Sequence, residues 1–341
     1  MIWAEAQGCR VVDSDGRSYI DLSGGFGVAA LGHRSPEIEA AVRAQADRCM
    51  HALGDLAEAD VTAELRSRLG GEGHEVMLGV TGEDAVEIAL RTALLVTGRP
   101  GIVAFTGAYH GTGLLALAAT GFERFRSPVA PWLPGPVHRC PYGEDPSALP
   151  PDTACVIVEP VQGRAGAQVP PDGFLERLRE RCDEAGALLI ADEIYTGLGR
   201  TGALWRSGNL ADLVTSGKAL GGGLPISACL MSAEHRSAWD LGPEDVYTHT
   251  HMGNPLAAAA ALVVLDRVPA LLGRVTAAGE RFESAGWHGA GLLRAKEGDA
   301  FAAWERGVIA IPAGEDGRYM SATPPLTITD EEIDEALERI G

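Results

Sequence analysis

The sequence predicts an α/β fold in which a mainly parallel sheet, covered by helices, forms a large domain, and a smaller α+β domain is built from both termini. Three observations lead there. Short apolar strands at 76–78, 102–105, 155–158, 188–191 and 226–231 alternate with helical patterns, and such alternation means a parallel sheet under helices on both sides. The run before Asp192 is continuously apolar, as a strand buried on both faces must be. A chain of 341 residues is long enough for two domains with a sizeable core. The large domain is placed at 49–248, between an N-terminal part of the small domain at 1–48 and a C-terminal small domain at 249–341.

Taken in order, residues 11–22, VVDSDGRSYIDL, read as a hairpin turning at Asp15-Gly16. LGHRSPEIEAAVRAQADRCM then starts a helix, with Ser35 as N-cap, Pro36 at the first helical position, and Glu37 and Glu39 facing the positive end of the dipole. In VTGEDAVEIALRTALLVTG a glycine turn opens a long amphipathic helix that Gly98 ends; its N-terminal amides suit a phosphate. Residues 174–185 place Phe174, Leu175, Leu178 and Cys182 on one helical face, and Gly186 stops the helix. The chain closes with a Pro255-led alanine-rich helix and a last helix with a capping box, Thr329 with Glu332, and an apolar stripe of Ile333, Leu337 and Ile340.

Composition narrows the function classes. Twenty-eight basic against 47 acidic residues give a net charge of -19, which argues against nucleic acid or an anionic membrane as partner. The longest wholly apolar run, 256–265, is ten residues, short of a membrane span. MIWAEAQGCRVVD shows no basic start followed by an apolar stretch, so no secretory signal is read there. Six cysteines without a CxxC pair are expected to be free thiols in a reducing cytoplasm.

The chemistry is concentrated in ALLIADEIYTGLGRTGALWRSGNLADLVTSGKALGGGLP, residues 187–225. An apolar strand stops at Asp192 and Glu193, and a second apolar stretch, 210–214, delivers Lys218 into a loop of small residues. In an open parallel sheet ligands sit beyond the carboxyl ends of the strands, so Asp192 and Lys218 face one crevice. A buried lysine loses its proton more easily and attacks carbonyls. A buried aspartate needs a positive partner. The aldehyde and protonated ring nitrogen of pyridoxal phosphate would satisfy both. The same two residues also fit an Asp capping a turn and a Lys exposed in a glycine loop. GLGRTG, 197–202, formally matches a dinucleotide fingerprint, yet no strand directly precedes it and no helical period follows, so it is read as a chance match.

DEIYTGLGRTG and GKALGGGLP, in this order and at this spacing, resemble the class III, or omega, aminotransferases of fold type I pyridoxal-phosphate enzymes. The resemblance runs from about Asp13 to Leu337. It implies that Lys218 holds the cofactor and Asp192 keeps its ring nitrogen protonated. Thr81, Gly82, Glu83, Asp84 and Ala85 stand where relatives read Ser-Gly-Thr, or a close variant, then Glu-Ala. A carboxylate at Glu83 would repel a phosphate dianion, so its amide is expected to bind while its side chain turns away. In GAYHG the resemblance makes Tyr109 the ring that stacks on the pyridine, with His110 in support. In EPVQG it assigns Gln162 to the phenolic oxygen and Glu159 to loop ordering. In THTHMGNP it gives Thr250 to the phosphate of a neighbouring subunit, implying a homodimer, with His251 and Met252 departing from the usual aromatic and glycine. His249 and His251 lack a nearby cysteine or carboxylate in sequence, so no metal site is expected. Most relatives carry an additional leading segment, so one wall of the site is expected to differ.

The activity implied is transfer of an amino group between a small amine and a keto acid or aldehyde. The nearest rival on the same fold is an aminomutase of the glutamate-1-semialdehyde type; a non-catalytic pyridoxal-phosphate binder is the rival from another class. Relatives acting on glutamate, ornithine or acetylornithine commonly place arginines at three positions that correspond here to Leu94, Thr112 and Ser321. None is cationic, so an α-amino dicarboxylate is expected to fit poorly unless Arg34, Arg126 or Arg164 takes over. A terminal amine or ω-amino acid is the expected donor.

Overall fold

Three sheets make up the chain in a computed structural model that describes all residues except 55 and 243–245. The N-terminal strands are β1 (Trp3–Gln7), β2 (Arg10–Asp13) and β3 (Ser18–Asp21). β2 and β3 form the expected hairpin, with Val11 opposite Tyr19 and Gly16 at φ 81° in the turn, a left-handed value that glycine adopts without steric cost.

The central sheet holds β4 (Glu75–Gly79), β5 (Gly101–Phe105), β6 (Val137–Cys140), β7 (Thr153–Val158), β8 (Leu188–Asp192), β9 (Leu213–Ser216) and β10 (Ser227–Met231), in the order β4-β10-β9-β8-β7-β5-β6. The pairings among β6, β5, β7, β8 and β9 are parallel. β10 runs antiparallel to both its neighbours. Every residue of β5 and β7 is buried, as continuous apolar runs under helices on both faces should be.

The third sheet comprises β11 (His288–Ala290), β12 (Leu293–Glu297), β14 (Ile311–Ala313) and β15 (Tyr319–Ala322), while β13 (Val308–Ile309) pairs in parallel with β3 and so ties the C-terminal part to the N-terminal hairpin. The buried guanidinium of Arg200, within the GLGRTG stretch, strengthens that tie by donating to the carbonyls of Gly27, Leu292 and Pro324. The stretch itself is a series of turns that opens no helix.

The helices obey their local signals with two exceptions. Thr81 and Asp84 form a capping box on Gly82–Thr97, and Gly98 closes it at φ 66°. Phe174–Ala185 buries Phe174, Leu178 and Cys182 and ends at Gly186. Ser35, however, makes no side-chain cap bond on Pro36–Ala46; its carbonyl accepts from Glu39 N at 2.9 Å instead. The alanine-rich helix runs from Pro255 to Ser284 and is long and apolar enough to cross a membrane by length and composition alone, which the ten-residue run 256–265 does not reveal. Here it packs on Pro36–Ala46 and Asp60–Gly70, and its Ala257, Ala261, Val264 and Val268 belong to the buried cluster that contains Ile38, Leu65 and Leu220.

Candidate active site

The carboxyl ends of the parallel strands converge on a cavity of about 520 Å³, where a doubly covered parallel sheet places its ligands. Asp192 ends β8, Lys218 follows β9, Tyr109 and His110 follow β5, Glu159 follows β7, and Thr81 to Glu83 connect β4 to the helix Gly82–Thr97. All of these line the cavity. Two other expected residues do not. Gln162 is buried and donates its carboxamide N–H to Thr106 O at 2.9 Å, and Thr250 stands exposed on the surface.

Asp192 is 3 % exposed. Its Oδ2 lies 2.7 Å from His110 Nδ1, and its Oδ1 accepts from Ile194 N at 3.1 Å and Thr215 Oγ1 at 3.2 Å. His110 Nε2 is buried without a protein partner. Glu193 goes elsewhere: its carboxylate accepts from Ser207 N at 2.6 Å and from Thr196, ordering the turns after β8.

Lys218 places Nζ 4.0 Å from the centre of the Tyr195 ring. Burial pushes its ammonium below the usual lysine range, against the pull of Asp192 and Glu159, so the proton is held less tightly than on an exposed lysine. Glu159 accepts from Tyr109 N at 2.8 Å and Gly163 N at 3.2 Å. Desolvation raises its carboxyl to about 7, with His110 opposing the rise and Asp192 adding to it.

At the phosphate turn Asp84 Oδ2 accepts from Val80 N and Thr81 N, each at 2.8 Å, and Thr81 Oγ1 accepts from Asp84 N at 3.3 Å. The hydroxyl of Thr81 therefore serves the helix. Gly82 and Glu83 line the cavity, and a helix leaves its first-turn amides without intrahelical partners. Glu83 turns its carboxylate onto the next loop, accepting from Thr112 N at 2.9 Å, Gly113 N at 3.1 Å and Thr112 Oγ1 at 3.2 Å. Gly82 is required for space, because a Cβ there would meet Ile194 Cγ2 at 2.9 Å.

His249 Nε2 lies 3.8 Å from Asp84 Oδ1, and the His251 ring meets His51 edge-on at 5.4 Å. Among the described residues no group of three or more His, Cys, Asp or Glu is placed to hold a metal ion.

The wall also holds Phe26 and Tyr195, to which the sequence assigns no role, together with Arg164 and Ser321. Phe26, at φ 63°, is a non-glycine residue in the left-handed region and stays half-exposed at the cavity. Of the three arginines considered as replacements, Arg164 alone lines the cavity; Arg34 pairs with Glu39 and Arg126 with Glu123. Tyr195 and Arg164 sit within the DEIYTG and EPVQGR strings, so adjacency to motif residues was the available signal.

The family model described as aminotransferase class-III matches residues 1–285. Acetylornithine aminotransferase of Corynebacterium efficiens is 37% identical, covering 98% of this chain and 90% of the relative. The 5-aminovalerate aminotransferase DavT of Pseudomonas aeruginosa is 38% identical over 82% of this chain and 71% of its own. Among solved structures, ornithine aminotransferase of Toxoplasma gondii superposes with a TM-score of 0.91 at 30% identity, covering 99% of this chain and 89% of that one. An amine transaminase from an uncultivated Pseudomonas species gives 0.91 at 26% identity, covering 100% and 93%.

Proposed function

The chain belongs to the class III aminotransferases, which use pyridoxal phosphate, and from that premise we propose that it takes the amino group of a terminal amine or ω-amino acid and gives it to a keto acid or aldehyde, as a cytoplasmic homodimer. The observation that carries the donor class is that none of Leu94, Thr112 and Ser321, the positions where dicarboxylate-handling relatives commonly carry arginine, is cationic; Ser321 lines the cavity with Lys218, Asp192 and, among the described residues, a single arginine, Arg164.

The donor set suits the cofactor. Lys218 offers a nucleophilic amine; Asp192 offers a buried carboxylate fixed by three contacts and in need of a cation; the Gly82 and Glu83 amides offer unpaired donors to a phosphate. When bound, pyridoxal phosphate supplies an aldehyde and a ring that accepts electrons from the substrate carbon. Lys218 would hold the aldehyde, Asp192 the ring nitrogen, the first-turn amides the phosphate and Tyr109 a ring face. Gln162 would reach the phenolic oxygen after leaving Thr106, and Thr250 would serve the phosphate of the neighbouring subunit.

With that chemistry supplied, Lys218 Nζ would be the group that takes and returns the proton of the substrate carbon, a role that burial suits by lowering the basicity of the amine. Glu159 supports both sides of this arrangement, since its two oxygens fix the backbone at Tyr109 and at Gly163. His110 holds Asp192 in place through Nδ1. Steady-state kinetics with a series of terminal amines and with glutamate tests the reading: kcat/KM for the best terminal amine should exceed that for glutamate, and the reverse order would refute it.

A further inference from the structure

If the donor is a terminal amine, as proposed above, the cavity still holds polar groups that this reading leaves without a partner. Arg164 is the one arginine lining it among the described residues. Its guanidinium carbon stands 4.8 Å from the Tyr109 ring centre and 5.1 Å from that of Phe125. Its Nε is buried without a hydrogen-bond partner. Among the described residues no carboxylate forms an ion pair with it, whereas Arg34 and Arg126 are both paired. The second group is Ser321, whose Oγ is buried, unpartnered and part of the same wall.

The backbone ties both residues to β14 and its flank. Gly314 N donates to Arg164 O at 2.9 Å, which fixes the arginine's main chain to the segment linking β14 and β15, and Ser321 lies on β15 opposite Ile311. Two aromatic rings flank the guanidinium, so less side-chain freedom is left to lose when it binds an anion. Buried donors left unmet are costly, and a carboxylate supplies the acceptor oxygens that would satisfy both groups. A second carboxylate would have to face Glu83 and Glu159.

We propose that Arg164, assisted by Ser321 Oγ, is the carboxylate subsite of the amine donor, so that the substrate class is a monocarboxylic ω-amino acid. The terminal amine reaches Lys218, the methylene chain lies along the apolar wall of Phe26, Ile311 and Pro312, and the carboxylate takes a two-pronged contact from the guanidinium. An amine of the same length without a carboxylate leaves Arg164 unsatisfied and reacts more slowly.

The donor half-reaction isolates this step. Cofactor-loaded enzyme is mixed in single turnovers with 5-aminopentanoate or with pentylamine, following loss of the lysine-linked cofactor absorbance, for the natural protein, Arg164→Gln and Arg164→Lys. The natural protein should favour 5-aminopentanoate by about 10- to 100-fold, the range of one charge-assisted contact. Arg164→Gln should lower the 5-aminopentanoate rate far more than the pentylamine rate and so erase the preference, and Arg164→Lys should retain part of it. Pentanoate, which carries no amine, should perturb the cofactor spectrum of the natural enzyme and do so at least tenfold more weakly in Arg164→Gln. A preference that survives Arg164→Gln, or equal loss of both rates in that variant, overturns the assignment while leaving the terminal-amine reading intact. Reaction with glutamate but with neither terminal amine overturns that reading as well.

Discussion

His110 Nδ1 lies 2.7 Å from Asp192 Oδ2 with both side chains buried, and Thr215 Oγ1 and Ile194 N hold the other carboxylate oxygen. The aspartate is thus fixed on all sides before any ligand arrives, while His110 Nε2 remains unpartnered behind it. A carboxylate this buried is stable only with positive charge close by, which a protonated pyridine nitrogen supplies.

The pairing of this carboxylate with Lys218 gives the first prediction. Lys218→Ala should remove the yellow absorbance of the covalently held cofactor together with turnover. Asp192→Asn should keep the absorbance and lower kcat about 10²- to 10³-fold, as removal of one preorganised electrostatic contact does. Absorbance spectra and initial rates of the two variants decide it; a fully active lysine variant would refute the assignment.

Much of the site could be read from the sequence because its parts are local. Asp192 and Lys218 are marked by strand ends, and the turn at Thr81-Gly82 by a glycine that opens an amphipathic helix. What could not be read depends on contacts distant in sequence. β13 pairs with β3 across nearly the whole chain, and the antiparallel direction of β10 is invisible in an apolar run that looks the same from either end. β6, VHRC, is only half-buried and too short and polar to stand out as a strand. Which of Arg34, Arg126 and Arg164 enters the cavity is not legible in the sequence, because the aromatic surroundings of Arg164 come from Tyr109 and Phe125, more than 35 residues away.

Glu83 gives the second prediction. Its carboxylate latches the loop at Thr112 and Gly113, yet it remains a negative charge on the wall that would receive a phosphate. Glu83→Gln keeps an acceptor for the loop and removes the charge. Cofactor affinity should rise by about 1 kcal/mol, the scale of a like-charge contact in well-solvated surroundings, and the gain should shrink with added salt. Equilibrium titration of the apoprotein measures both; unchanged affinity at low salt would show that the loop amides already neutralise Glu83.

Thr250 supplies the third. It is exposed in the single chain and does not line the chain's own cavity, so its expected contact with a phosphate requires a second copy. A hydroxyl bonded to a dianion is charge-assisted, and Thr250→Ala should weaken cofactor retention by roughly 1.5 to 3 kcal/mol. Light scattering should give a dimer for both proteins. A monomer that retains the cofactor normally would contradict the shared site.

The last prediction concerns pH. Burial raises the Glu159 carboxyl from its ordinary value of 4.5 to about 7, so the folded chain holds this proton more tightly than the unfolded chain. Below about 4.5 both states are protonated and the group costs nothing. Between about 4.5 and 7 the unfolded chain ionises first, and stability falls as pH rises. Above about 7 the full cost persists, up to roughly 3 kcal/mol for a rise of this size. Glu159→Gln cannot ionise, although it also presents an N–H₂ where Tyr109 N and Gly163 N now donate, so its absolute stability is a poor guide. The difference in unfolding free energy between variant and natural apoprotein is the measure, since groups shared by both cancel. Urea denaturation across pH 4 to 8.5 should show that difference moving in the variant's favour through the window and levelling above it. A difference independent of pH would mean that Glu159 ionises as readily in the folded chain as in the unfolded one.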